Sequence, residues 1–354
     1  MRRMNLIVAA AIAVFAAIAC SDKDVSDDLI KNWPWEGEDE NEVTPPAPEV
    51  TDPNQAYVDV GWTNVEEAFG SLPAHINVYR SPAELKGKPA IAYIAVADMS
   101  EADWDVWSVK ADDSYKTSDS YRTPSEVYDE GQWPIVINGG YFFYEGANYT
   151  SSLAVSNGEV LAYNINYASE DWVTVYSPTR AAFLQNKDGS FDACWTFWNN
   201  MDHFTYQIPA DNSYDEAPKQ VPSATYPEKA VKFDAETAIG GGPVLINKGK
   251  YANTWSEEMF DVGGVNPTYS NPRTAIGATS DGKLIFFVCE GRDMTDGVSG
   301  FSTEDLAYIM LDLGCVEAIN LDGGGSSCML VNGIETIKVS DGSQRAVAST
   351  LMIK

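Results

Sequence analysis

The sequence predicts an α+β fold: one compact domain of sizeable mixed β-sheets with few helices. Three observations carry that prediction. Short apolar runs rich in β-branched and aromatic residues recur along the chain, separated by Gly, Pro and Asn turns. Clear helical periodicity with both caps occurs once. The 354 residues are 44% hydrophobic and 12% aromatic, ample material for a large core.

Taken in order, the candidate strands are residues 91–96, 135–137, 243–246, 284–288, 316–321 and 346–353. A further strand follows Arg273 and meets 284–288 through the turn Ser280-Asp281-Gly282, which predicts a hairpin. The clear helix starts at Ser302 or Thr303 as N-cap. Glu304 and Asp305 suit its positive end, and Gly314 suits the position just past its C-terminus. Leu306, Ile309, Met310 and Leu313 fall on one face and are core packing. A second helix is expected from Thr123-Pro124-Ser125-Glu126, with Pro124 at its first position.

The N-terminus reads as an export signal. Arg2 and Arg3 precede an apolar segment, residues 6–19, that is too short for a stable membrane span. It ends at Ala17-Ile18-Ala19-Cys20, which resembles the bacterial lipobox with Ala17 in place of the usual Leu. The resemblance implies a signal peptide over 1–20, an acylated Cys20 and an exported lipoprotein of the bacterial cell envelope, periplasmic or at the cell surface. The alternative is an ordinary cleaved signal with a chance cysteine. Residues 21–54 are strongly acidic and carry Pro45-Pro46-Ala47-Pro48, the composition of an extended tether. The folded domain is then 55–354.

Composition excludes several classes. A net charge of −29 repels nucleic acid and anionic headgroups, so a membrane is met only through the lipid anchor. Cys194, Cys289, Cys315 and Cys328 have no metal or redox spacing. The two histidines, His75 and His203, form no zinc motif and lend little to a Ser-His-Asp triad. No cofactor is predicted. The carboxylates of Glu290, Asp293, Asp296 and Asp322 leave a divalent cation such as calcium open, although their spacing matches no EF-hand.

The informative segments are glycine-rich and follow apolar strands. Asn320-Leu321-Asp322-Gly323-Gly324-Gly325-Ser326-Ser327 puts an acid at a strand end and three glycines after it. Such a loop either turns tightly or points backbone N–H groups at an anion. Asn138-Gly139-Gly140-Tyr141-Phe142 repeats the logic, and Asn-Gly is also a hairpin signal. Gly240-Gly241-Gly242-Pro243 is a second glycine triplet. Arg273-Thr274 opens a strand in a chain with few cations, where a guanidinium suits either a phosphate or a structural acid. Glu290-Gly291-Arg292 and Asp341 to Arg345 add charge near the ends of strands.

In this order the segments resemble the phosphodiester glycosidase family, with departures at Glu290, where Asp is common, and Cys328, where Thr is common. The resemblance covers roughly residue 91 to the C-terminus. It implies hydrolysis of the sugar C1–O bond of a sugar-1-phosphodiester, giving free sugar and a phosphomonoester. It implies catalytic carboxylates at Asp322 and Glu290, with nucleophile and base unassigned. Phosphate and sugar contacts would come from Arg273, Arg345, Arg292, Asn138, Thr274, Ser326 and the glycines 139, 140, 241, 242, 323, 324 and 325. The partner is then a small-molecule or glycan substrate. The competing reading is a non-catalytic, glycan-binding surface lipoprotein, which the abundant Tyr and Trp also suit. The Trp195 to His203 stretch lines a pocket or fills the core on either reading.

Overall fold

Alternate side chains of the strand Lys283–Cys289 serve two cores. Leu284, Phe286 and Val288 enter the larger one, and Ile285, Phe287 and Cys289 enter a second on the opposite face. That period of two with both faces covered is why the run reads as continuously apolar. The computed structural model describes residues 52–143, 149–260 and 264–354. The signal segment, Cys20 and residues 21–51 of the tether lie outside the described residues.

The described residues are mostly β-sheet, with three α-helices. Sheets of eight, seven and five strands meet around the larger core. The eight-stranded sheet places Lys283–Cys289, Arg273–Thr279, Cys315–Asn320 and Val244–Asn247 side by side. The seven-stranded sheet contributes Phe183, Trp195, Phe197 and Ile239 to the shared core. The five-stranded sheet contributes Ile135, Ile137, Met329 and Leu351. The predicted hairpin forms, with Arg273 opposite Cys289 and Ala278 opposite Leu284.

Both expected helices form with capping boxes. Ser302 and Asp305 close the start of Thr303–Asp312, and Thr123 and Glu126 close Pro124–Gly131. Leu306, Ala307, Ile309 and Met310 pack the longer helix against the second core. Its chain leaves through Gly314 at φ +80° and returns as the strand Cys315–Asn320.

Two expectations are corrected here. Mixed sheets were expected, yet every strand pairing among the described residues is antiparallel. The helix Thr303–Asp312 leads through a short turn into the strand Cys315–Asn320, and no parallel crossover results. Instead the strand Cys315–Asn320 slots between two strands that run against it. Residues 52–54, assigned to the tether, belong to the folded unit: Tyr79 donates to Asp52 at 2.5 Å, and the buried Asn54 donates to Asn77 and Tyr79. Within the Trp195 to His203 stretch, residues 195–198 are buried core, while the turn that follows is not, with Met201 87% exposed. Trp198 stacks on Tyr163 at 3.9 Å and His203 on Phe233 at 4.0 Å, and burial pushes His203 down to about 3, so it stays neutral.

Candidate active site

The ends of four strands from all three sheets are forced together at one point. Gly140 follows Ile135–Asn138 so closely against Gly240 that an added Cβ would lie 2.4 Å from the Gly240 carbonyl oxygen. Gly241 has the same relation to the Asn320 oxygen, also at 2.4 Å. Glycines here are therefore required by backbone crossing rather than by a ligand. At this crossing the Cys315–Asn320 strand runs out through Leu321 to Asp322.

Asp322 is held by its main chain. Its N–H donates to the Gly139 oxygen at 3.1 Å, and its carbonyl accepts from Asn138 Nδ2 at 2.7 Å. The same Asn138 accepts from Thr274 Oγ1 at 2.8 Å and from the Cys328 N–H at 3.1 Å. Its side chain is thus enclosed and satisfied, which fixes the loop and leaves the Asp322 carboxylate to face a cavity.

Two hollows meet at that carboxylate. The larger, about 340 Å³, has an aromatic wall of Tyr141, Phe142, Tyr167, Trp172, Tyr214 and Phe260, with Asn164 and Arg180 among its polar members. The smaller, about 110 Å³, is lined by Arg273, Arg292, Arg345 and the glycines 323 to 325. Asp322, Tyr141 and Arg345 line both. Asp322 is the single acid lining either hollow among the described residues. Burial pushes its carboxyl up to about 6, against the pull of a Ser326 hydrogen bond, the Arg345 guanidinium, the Gly323 N–H and Arg273. Burial and the neighbouring Asp322 raise the Tyr141 hydroxyl, which stays protonated and donates to the Gly242 oxygen at 2.5 Å.

The cations are fixed in different ways. Arg345 donates from Nε and Nη2 to one oxygen of Asp341, at 2.9 and 2.5 Å, and from Nη1 to Ser326 at 3.3 Å. Arg292 is exposed and donates to Asn271 at 3.4 Å and Ser340 at 3.3 Å. The glycine triplet lets both lie against backbone: a Cβ at Gly324 would meet Arg292 at 2.6 Å, and one at Gly325 would meet Arg345 at 2.1 Å.

Arg273 departs from the expected phosphate fork. It donates to the carbonyls of Phe301, Val265, Asn266 and Tyr269 at 2.8–3.0 Å. That leaves one of its five N–H groups for anything else. It clamps loop 265–269 and lends fixed positive charge to the smaller hollow. Other expected contacts are corrected too. Asn138, Thr274, Gly139, Gly140 and Gly242 line neither hollow, because they are spent on the strand crossing and the network beneath Asp322. Glu290 lines neither as well. It is 3% exposed, and its Oε1 accepts from the Lys338 N–H at 3.0 Å. No group of three His, Cys, Asp or Glu side chains that could hold a metal occurs among the described residues.

Several residues in and behind the wall carry no motif in the sequence. Arg180 lies over the Phe260 ring at 4.5 Å and donates to the Glu258 carbonyl. The buried Glu258 carboxylate accepts from Ala181, Val244, Thr254 and Trp195, and burial pushes it up to about 7. Tyr167, Trp172 and Tyr214 stand in loops with no motif around them, so only the folded chain brings them to the cavity.

Comparison with known proteins places this geometry. Residues 132–354 match the phosphodiester glycosidase family. An uncharacterized prophage-derived protein of Bacillus subtilis, YomE, is 43% identical over 83 residues, which is 23% of this chain and 13% of that protein. The N-acetylglucosamine-1-phosphodiester α-N-acetylglucosaminidases of Bos taurus and Homo sapiens are each 32% identical over 108 residues, 30% of this chain and 20% of theirs. The chain thus spans between 13% and 20% of the length of these curated relatives. Its fold is shared with the catalytic domain of the zebrafish enzyme of that name, at TM-score 0.53 and 20% identity, over 80% of this chain and 85% of that one. A hypothetical protein from Synechocystis aligns at TM-score 0.51 and 14% identity, over 79% of this chain and 62% of that one. The family match spans well over half of the chain and includes the Asp322 loop, and the chain belongs to the phosphodiester glycosidase family.

Proposed function

We propose that the protein hydrolyses the C1–O bond of a sugar-1-phosphodiester, releasing free sugar and a phosphomonoester. The observation that carries this reading is the placement of one carboxylate, Asp322, between an aromatic hollow and a cationic one. Aromatic faces with polar edges suit a pyranose, and guanidinium groups beside a glycine loop suit a phosphate. The sugar then occupies the larger hollow, the phosphate the smaller, and C1 comes to Asp322.

The chemistry follows from the leaving group. A phosphate monoester is a weak base and departs without a proton, so positive charge that strengthens its hold as the bond breaks lowers the barrier. Arg345 and Arg292 supply that charge at the cavity surface, with Arg273 behind them. The ionised Asp322 faces the developing oxocarbenium, as nucleophile or as base for water. Glu290 is set aside as the second carboxylate because of its place outside both hollows. The names of the mammalian relatives make an N-acetylglucosamine-1-phosphodiester the first substrate to try.

The test uses purified protein and UDP-N-acetylglucosamine or an aryl phosphodiester of N-acetylglucosamine 1-phosphate, with released reducing sugar as the readout. Turnover that falls at least about a thousandfold in Asp322→Asn is expected. Saturable binding without turnover would instead make the protein a glycan binder. Export as a lipoprotein through Cys20 is part of the proposal. Fatty-acid labelling that persists in Cys20→Ala would end that part.

A further inference from the structure

The larger hollow opens past a loop whose base is packed but whose tip is not. An antiparallel bridge pairs Ala168 with Tyr176, at 3.1 and 2.9 Å, and closes the loop at its base. Tyr176 pins that base from below, donating to the Glu216 oxygen at 2.8 Å and meeting Tyr214 edge-on at 5.1 Å. At the tip the Asp171 carboxylate accepts from the N–H groups of Val173 and Thr174, at 2.8 and 2.7 Å, and from Thr174 Oγ1 at 2.9 Å. This fastened tip presents Trp172 with its side chain to solvent. The residue is 85% exposed, and its backbone sits at φ +60°.

Both features work against stability. The left-handed region is rare for a bulky residue, and an indole held in water forgoes its burial energy. Backbone in a sparsely populated region, held there by its surroundings, points to a functional constraint. Trp172 also lines the hollow that holds Asp322, together with Tyr167, which is 40% exposed. Ser151, Asn164 and Ser169 stand on the same lining. Aromatic faces edged by hydroxyl and amide groups match a pyranose, whose ring face is apolar and whose rim is hydroxylated. An acyl chain would call for a continuous aliphatic wall.

We propose that Trp172, with Tyr167, forms a stacking platform for a second sugar, attached on the far side of the one whose C1 meets Asp322. The substrate class is therefore an oligosaccharide 1-phosphodiester, rather than a diester of a lone monosaccharide. This rests on the reading that the sugar fills the larger hollow. Asp171 is a positioning residue, since it orders the tip before the ligand arrives and lowers the entropy cost of binding.

The experiment compares methyl phosphodiesters of N-acetylglucosamine 1-phosphate with the same sugar extended at O3, O4 or O6 by one N-acetylglucosamine. A diester carrying a dodecyl chain at O6 is the apolar control. In the wild type, kcat/KM for one extended diester is expected to exceed that for the single sugar by roughly three- to tenfold, an aromatic stacking contribution. Trp172→Ala should erase the preference, lowering kcat/KM for the extended diester several-fold more than for the single-sugar diester at an unchanged melting temperature, and Trp172→Phe should restore part of it. Asp171→Ala should lower the preference through KM. Equal effects of Trp172→Ala on short and extended diesters overturn the platform, as does a preference for the dodecyl diester. If the wild type cleaves none of these diesters, the hydrolytic reading fails, and titration with the phosphate-free di- and trisaccharides decides the platform. Binding weakened several-fold in Trp172→Ala supports it, and equal or absent binding overturns it.

Discussion

Asp322 is costly to the fold at neutral pH, a cost that the proposed catalytic role would account for. Its carboxyl is shifted from 3.8 to about 6 by burial, so the folded state holds its proton more tightly than the unfolded one. Above about pH 4 the folded state therefore loses stability as pH rises, until the group is ionised in both states. At pH 7.5, Asp322→Asn should raise stability by about 1–3 kcal/mol, measured by urea unfolding, while removing activity. On the proposed mechanism the working form is the anion, so kcat/KM should climb through about pH 6. Arg345 holds the carboxyl down, and Arg345→Gln should move that limb to higher pH besides slowing turnover about a hundredfold or more. A limb that stays in place in Arg345→Gln would separate the pH dependence from Asp322. Asn138→Ala leaves the Cys328 N–H and the Asp322 carbonyl unpaired in a dry place. It should cost about 2–4 kcal/mol of stability even though no part of Asn138 meets the ligand.

At the scale of elements, the glycine segments divide into two kinds. Gly140 permits one strand end to cross another, and its obstacle is backbone. Gly140→Ala should therefore cost about 3 kcal/mol or more and reduce soluble yield. Gly325 permits a guanidinium to lie on the loop, and its obstacles are the ends of the Arg345 and Asp341 side chains. Gly325→Ala should fold nearly as well as the wild type, with thermal unfolding shifted little. It should still lose about a hundredfold in turnover, because Arg345 is displaced from the phosphate side. A Gly325→Ala protein with full activity would show that the position of Arg345 is immaterial. The sequence presented both segments as possible ligand loops. Only the strand crossing shows that 139, 140 and 242 are scaffold while 323 to 325 border the cationic hollow.

For the whole molecule, charge and burial act together. The chain carries −29, and on the proposed function a cationic hollow within it would draw an anionic substrate against the background field. Substrate KM should therefore respond to salt in opposition: screening weakens the local attraction and the general repulsion at once, leaving a shallow dependence up to about 0.2 M. Stability has a clearer sign. Glu258 and Glu317, both pushed up to about 7 by burial, join Asp322 in favouring the protonated folded state. Asp98, Asp281 and Asp305 are held below their usual range, by hydrogen bonds at Asp98 and Asp281 and, against its burial, by Lys88 and Ser302 at Asp305. They lose stability only on strong acidification. The melting temperature should therefore peak near about pH 4–5 and decline toward pH 8, and a plateau from pH 5 to 8 would contradict these burials.

The sequence was enough to read the family, the capped helices, the hairpin from Arg273 and the acid-glycine loop, because these are local: caps, periodicity and glycine runs are written in neighbouring residues. It also singled out Asp322 and Arg345, which proved to border the same hollows. Tertiary structure alone decided which of the singled-out residues face open space. Asn138, Thr274 and Glu290 carry the right chemical groups, yet they are buried away from both hollows, and Arg273 spends four of its five N–H groups on carbonyls. Beyond Tyr141 and Phe142, which sit in the Asn138 to Phe142 segment that the sequence singled out, the aromatic wall was illegible for the converse reason. Tyr167, Trp172 and Phe260 gain meaning only from a cavity whose sides lie far apart in the chain, and burial, which sets both pKa and access, is a property of the packed molecule.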